Sequence, residues 1–197
     1  MSKSQTKSAR RLGPQGSRVW HAILDGAEEI LRDEGYAALT SRNIAKRADI
    51  KQQLIYYYFL TMDDLIVALF HRAAEREIVA LESAVAADKP LHGMWEAVTH
   101  SQDNKVVSEF TALANRNERL RKEVVLFIKD IRAKQLHALQ TILEGKSFPK
   151  VDIPLDVLVL ISLGLGEVMT RDRELGIVDG HDTLQAMVKQ MLSRLEP

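Results

Sequence analysis

The chain has 197 residues, 46% of them hydrophobic and 27% charged, and its 27 basic side chains are balanced by 27 acidic ones. That much apolar material can fill a real core, in one large domain or in a small domain joined to a larger one, and the chain need not be disordered. The absence of cysteine excludes disulfides, thiolate catalysis and cysteine-bound zinc, and a folded cytoplasmic protein is the expectation.

The neutral total conceals a polarity. Residues 1 to 24 carry Lys3, Lys7, Arg10, Arg11 and Arg18 with no acidic partner, and Arg42, Lys46, Arg47 and Lys51 follow with only Asp49 against them. Between these groups Asp25, Glu28, Glu29, Asp33 and Glu34 load one segment with negative charge, which phosphates would repel. Residues 1–17 lack the apolar core of a secretory signal and read as a flexible basic arm.

From Arg18 to Glu34 the apolar residues Val19, Ile23, Ala27, Ile30 and Leu31 recur at a helical period, and Gly35 stands where a terminating glycine is expected. Thr40 offers a capping hydroxyl to a second helix from Ser41 to Ala48. Asp49 and Ile50 make the turn into a third, from Lys51 to Tyr57, with Ile50, Leu54, Ile55 and Phe59 as its apolar contacts. These three helices share one small core, and residues 18–62 form the first domain.

Residues 63–197 form the second. Asp63 is the expected N-cap of a long fourth helix that runs to the region of Pro90, and Pro90 opens a fifth. A sixth follows the polar run from Ser101 to Asn104, and a seventh runs from Glu118 to Leu143 and ends at Gly145. Leu155 to Met169 is apolar almost all round, so it must be covered on more than one side. It falls short of the ~20 apolar residues that cross a bilayer and is interrupted by Asp156, Ser162 and Glu167, so a subunit interface explains it better than a membrane. A final amphipathic helix carries Leu184, Met187, Val188, Met191, Leu192 and Leu195, and together with the eighth it suits a four-helix bundle between two copies of the chain. No strand alternation interrupts this pattern, and the fold class is all-α with about nine helices.

Between Leu39 and Leu65, Thr40, Arg42, Ile44, Ala45, Ala48, Asp49, Ile50, Lys51, Ile55, Tyr56, Tyr58, Phe59, Met62 and Leu65 resemble the helix-turn-helix of the TetR family of transcriptional regulators. The departures from the family pattern are Asp49 for Gly, Ile50 for Val, Lys51 for a capping Ser, Tyr58 for His and Met62 for Lys. The resemblance implies a dimeric DNA-binding regulator, a repressor, that reads a near-palindromic operator and is switched by a small molecule.

The residue chemistry suits that role. Gln pairs with adenine in the major groove, Lys with guanine, and an aromatic edge meets a thymine methyl. Gln52 and Gln53 are therefore the candidate base readers, with Tyr57 beside them. Thr40, Ser41, Arg42, Lys51, Tyr56 and Tyr58 are candidates for the phosphates, which position a domain without specifying sequence. Helices four to seven enclose the effector pocket in the family. Met94, Trp95, Phe110, Leu113, Phe127, Ile131 and Met169 are the candidate lining, with Glu109, Asn115 and Arg116 to orient an apolar or aromatic ligand.

An enzyme finds no support. The six histidines are scattered without an HExxH pair, no Ser-His-Asp set can be nominated, and no metal or cofactor is expected. Gly164 and Gly166 fall inside an apolar helix, where they suggest close helix packing and not a phosphate loop. The competing reading is a helical small-molecule-binding protein whose helix-turn-helix has weak or lost DNA affinity, which Met62 and the neutral charge make conceivable.

Overall fold

The computed structural model describes residues 13–100, 103–144 and 153–196. Most of the expected basic arm, the start of the Ser101–Asn104 run, Gly145 and most of the following loop lie outside these residues. Among the described residues there are nine α-helices, one short 3-10 turn and no strand. The helices are α1 (Arg18–Glu34), α2 (Ser41–Arg47), α3 (Gln52–Tyr58), α4 (Met62–Val85), α5 (Pro90–His100), α6 (Asn104–Ala114), α7 (Glu118–Leu143), α8 (Leu155–Glu174) and α9 (His181–Leu192). No single described helix is long and apolar enough to cross a membrane.

Two compact units divide the chain between Leu69 and Phe70. The boundary expected at 62/63 is therefore only the start of α4, whose first two turns belong to the first unit through the buried Leu65, Ile66 and Leu69. The cap expected at Asp63 lies at Thr61 instead. The Thr61 hydroxyl accepts from the Asp64 amide at 3.1 Å, and the Asp64 carboxylate accepts from the Thr61 amide at 2.9 Å. This reciprocal pairing satisfies two otherwise orphaned amides.

In the first unit, α1 is capped by Ser17, which accepts from the Trp20 amide, and it ends at Gly35 with φ 76°, a left-handed turn that favours glycine. Its inner face of Ile23, Leu24, Ala27, Ile30 and Leu31 is at most 1% exposed. Gly26 lets α1 approach α2, since a Cβ there would stand 3.3 Å from the Ala48 amide nitrogen. Phe59 stacks on Trp20 with ring centroids 6.1 Å apart, which closes the small core over α3. Residues 13–17, expected as the root of a flexible arm, are anchored: the Gly13 amide donates to the Tyr57 carbonyl at 2.9 Å, and Gly13 is buried.

The second unit packs α5 against α8 and α6 against α7. Gly166 sits so close to α5 that a Cβ would fall 2.5 Å from the Val98 carbonyl oxygen, whereas Gly164 faces open space. Close packing thus holds for one of the two glycines. α9 enters the same unit through Val188 and Leu192, which are buried with Leu91, Trp95, Leu143 and Met169. Just beyond it the Glu196 carboxylate accepts from the Leu91 amide at 2.8 Å and the His92 amide at 3.2 Å, and it pairs with the His92 ring at 3.0 Å. A carboxylate therefore caps the start of α5 from the far end of the chain, where the helix dipole and the free amides favour negative charge.

Candidate nucleic-acid interface and ligand cavity

The outer surface of α2 and α3 is built by two helix starts brought side by side. Thr40 caps α2 by accepting from the Asn43 amide at 3.2 Å. The turn between the helices holds Asp49 at φ 51°, the one described non-glycine residue with positive φ. That geometry explains why a glycine is usual at this position. Lys51 occupies the N-cap of α3 and makes no side-chain cap bond, in line with the loss of a capping oxygen expected from its type.

The exposed face collects most of the nominated residues. Arg42, Lys51, Gln52, Gln53, Tyr56 and Tyr57 are exposed, and Ser41 is half-buried between them. Ser41 joins the two helices: its hydroxyl oxygen accepts from Gln52 Nε2 at 2.8 Å and from the Tyr56 hydroxyl at 3.1 Å. Gln52, nominated as a base reader, is thereby held beside α2, while no described residue hydrogen-bonds the Gln53 side chain. Tyr58 is half-buried and turned edge-on to Tyr57, with centroids 5.2 Å apart. A Cβ on Gly13 would fall 2.5 Å from the Tyr58 ring, so this tyrosine also seats the incoming chain.

Arg47 departs from the basic group to which its sequence position assigns it. Its guanidinium contacts Glu29 and Asp33 at 3.3 Å each and Glu34 at 2.6 Å, all on α1. The hydrogen bond to Glu29, opposed by partial desolvation and backed by Asp33 and the charge of Glu34, raises its pKa above the ordinary arginine value. Arg47 therefore ties α2 to the acidic face of α1. The sequence signal for this was the acidic run itself, which needed a cation from a neighbouring helix.

These features coincide with a family match: residues 23–69 fit the model described as bacterial regulatory proteins, tetR family. Residues 23–69 are thus a TetR-family helix-turn-helix region. It is 28% identical over 120 residues to an uncharacterized HTH-type transcriptional regulator in the dhlA 5' region of Xanthobacter autotrophicus, covering 55% of this chain and 59% of that one. The chain thus spans less than two thirds of that relative. It is 23% identical over 156 residues to an uncharacterized HTH-type transcriptional regulator of Mycobacterium tuberculosis, covering 76% and 80% of the two chains. Its fold matches the crystal structure of a TetR transcription regulator from Haloarcula marismortui with a TM-score of 0.72 at 18% identity, over 88% of this chain and 96% of that one. The relatives are described as regulators and not as enzymes.

The second unit holds an open cavity of about 520 Å³ lined by α4, α5, α6, α7 and α8. Met94, Phe127 and Ile131 line it as nominated. The other four nominated residues do not. Trp95 and Met169 belong to the core shared with α9, where Trp95 Nε1 donates to Gln185 Oε1 at 2.9 Å. Phe110 is fully buried edge-on against Phe70, and Leu113 lies elsewhere on α6. Helical spacing marks an inward face but cannot separate core from cavity wall. Glu109 lines the space, whereas Asn115 and Arg116 sit at the exposed end of α6.

Sequence reasoning missed the polar part of the wall, which includes Glu77, Gln135, Glu167 and Glu174. Among the described residues no cluster of His, Asp and Glu is arranged to hold a metal ion. His92 and His100 are each engaged with a carboxylate, Glu196 and Glu96.

Proposed function

We propose that this chain is a ligand-responsive repressor that works in the cytoplasm as a dimer, reads a near-palindromic operator through α3 and is switched by a small molecule in the cavity of its second unit. The observation that carries this reading is the exposed surface at α2 and α3. Lys51, Gln52, Gln53, Tyr56 and Tyr57 are presented there together, with Thr40, Ser41 and Arg42 at the start of the neighbouring helix. One such surface alone offers too little contact for tight selective binding, so two copies on half-sites are required.

The pairing surface is supplied by α8 and α9. Val157, Leu160, Ile161 and Val168 on α8 and Met187 and Met191 on α9 are large apolar side chains that remain exposed in the single chain, at 38% to 61%. Exposed large apolar side chains in this number support an association surface. A cavity of about 520 Å³ is of the size that small-molecule sites use. A ligand there acts as a switch if it favours a dimer geometry whose α3 helices no longer match the groove spacing.

The test is selection of bound sequences from a random DNA pool by the full chain, followed by titration of the enriched site over a range of salt. Enrichment of a two-fold-symmetric site whose affinity falls steeply with salt supports the repressor, because phosphate contacts release counterions. Failure to enrich any sequence favours the second reading, a small-molecule-binding protein with weak DNA affinity. That reading draws support from Arg47, whose charge is taken up by three α1 carboxylates, and from Met62 where the family pattern has lysine.

A further inference from the structure

We propose that the basic segment before Gly13 supplies a second contact to DNA, in which Arg10 and Arg11 hold backbone phosphates beside α3. The proposal rests on the reading of α3 as the DNA-facing helix and adds a contact that lies outside the helix-turn-helix. Two independent observations carry it.

The first is where the segment is rooted. The Gly13 amide donates to the carbonyl of Tyr57, in the last turn of α3, at 2.9 Å. Gly13 is buried against the rings of Tyr57 and Tyr58, where an added Cβ would fall 2.8 Å and 2.5 Å from them. The Pro14 carbonyl accepts from the Ser17 amide at 3.3 Å, and Ser17 in turn caps α1. The chain therefore enters the first unit at α3, held at both ends of a short turn. A chain spans at most about 3.6 Å per residue, so Arg11 and Arg10, two and three residues before Gly13, stay within about 7 and 11 Å of that seat. Tyr57, exposed and a candidate DNA contact, shares the seat, so a duplex that meets α3 comes within reach of both arginines.

The second is charge. Residues 1–12 contain Lys3, Lys7, Arg10 and Arg11 and no acidic residue. The surface at α2 and α3 exposes Arg42, Lys46 and Lys51, but Arg47 is taken up by Glu29, Asp33 and Glu34, and Met62 stands where the family pattern has lysine. A run of unopposed cations beside α3 makes up that shortfall. The acidic face of α1, which would otherwise compete for the segment, is already engaged by Arg47 and by Arg32, which pairs with Glu28 at 2.8 Å. Phosphates attract such a run without regard to sequence, and each one bound releases counterions.

The experiment is titration of the full chain against two duplexes, the operator enriched from the random pool and a shuffled duplex of the same composition, between about 50 and 200 mM salt. Arg10→Gln combined with Arg11→Gln is expected to lower the salt slope by about 1.8, the loss of two phosphate contacts. Its affinity deficit against the unaltered chain should then be about tenfold wider at the low end of the salt range than at the high end, and the same on both duplexes. Lys3→Gln combined with Lys7→Gln should lower the slope by less, since the chain lets these residues stand up to about 36 and 22 Å from the seat. Arg10→Lys combined with Arg11→Lys keeps the charge and should keep the slope. A slope unchanged by the glutamine pair at Arg10 and Arg11, with operator binding intact, overturns the proposal and leaves the α3 reading standing. A deficit confined to the operator, or a slope that falls equally with the lysine pair, also overturns the phosphate assignment. Binding of neither duplex by the unaltered chain overturns the DNA reading of α3 together with the proposal.

Discussion

Gln52 Nε2 donates to Ser41 Oγ at 2.8 Å, and this bond ties α3 to the start of the helix before it. A glutamine that pairs with a base must present its amide in one orientation, and Ser41 supplies the support from behind. Ser41→Ala is expected to keep the fold and to weaken discrimination at the base position assigned to Gln52 by about threefold, a fraction of the ~1–3 kcal/mol carried by a good bidentate pair. Gln52→Ala should relax the same position further. Arg42→Ala should instead weaken all sequences alike and reduce the salt slope by about 1. Competition titrations with single-base operator variants distinguish these outcomes, and a uniform loss from Gln52→Ala would remove Gln52 from base reading.

Asp49 occupies the left-handed region at φ 51°, where a residue with a Cβ carries about 1–2 kcal/mol of strain and glycine carries none. Glycine gives back roughly 0.5–1 kcal/mol through its freer unfolded state. Asp49→Gly is thus expected to stabilise the first unit by about 0.5–1 kcal/mol, and Asp49→Val to destabilise it by more than 1 kcal/mol. Urea midpoints at a constant slope are the measurement. A lower midpoint for the glycine variant would show that the aspartate side chain supports the turn by itself.

The legibility of this chain divides along the same line as its two units. Period and capping chemistry suffice for helices such as α1 and α7, because Ser17, Gly35 and Asn117 act within a few residues of the ends they define. The surface at α2 and α3 is likewise local, so Gln52, Gln53 and Tyr56 could be nominated from one short stretch. Arg47 could not be placed that way, since its partners lie 13 to 18 residues earlier on another helix. The cavity was least legible of all. Phe110 and Phe127 share the same apolar character, yet one is fully buried against Phe70 and the other reaches the cavity wall. Only the packing of five helices decides between them.

Glu196 makes the stability of the second unit depend on pH. Burial pushes its carboxyl pKa up, but the bond from the Leu91 amide, the bonds from the His92 side chain and amide, and the charge of His92 together bring it below the ordinary value. A carboxyl whose folded pKa is depressed contributes stability that is fully present above its unfolded pKa of about 4.3. That contribution is lost as the pH falls through the folded value. Glu196→Gln is therefore expected to cost about 2 kcal/mol near neutral pH, the scale of charged hydrogen bonds at a buried site. The gap from the unaltered chain should narrow below about pH 4. Thermal unfolding of both chains between pH 3 and 7 checks this, and a gap independent of pH would assign the loss to packing alone.

Gly166 allows α8 to lie against the Val98 carbonyl of α5, and Gly166→Ala would force a carbon to within 2.5 Å of that oxygen. The obstacle is backbone and cannot rotate away, so the helices must separate. The expected loss is about 1–3 kcal/mol, in the range of overpacked cores, despite the better helix propensity of alanine. Chemical denaturation of the variant is the check, and unchanged stability would mean that α5 and α8 shift apart at no cost.

Association through α8 and α9 needs a test that spares the unit itself. Removing residues 183–197 would not do, because Val188, Leu192 and Glu196 are buried in the second unit and their loss would dismantle the cap on α5 as well as the outer face. Leu160 and Met187 are better targets, being 49% and 61% exposed. Leu160→Glu combined with Met187→Glu leaves the core intact and places carboxylates where a second copy would bury them. Two unpaired charges in an apolar interface are expected to raise the dimer dissociation constant at least about a hundredfold, or about 3 kcal/mol. Light scattering should then show a monomer with unchanged helix content, and operator affinity should fall with it, since two linked half-sites are lost together. A variant that remained dimeric would place the pairing surface elsewhere on the chain. A monomer that bound the operator as tightly as before would separate DNA reading from dimerisation.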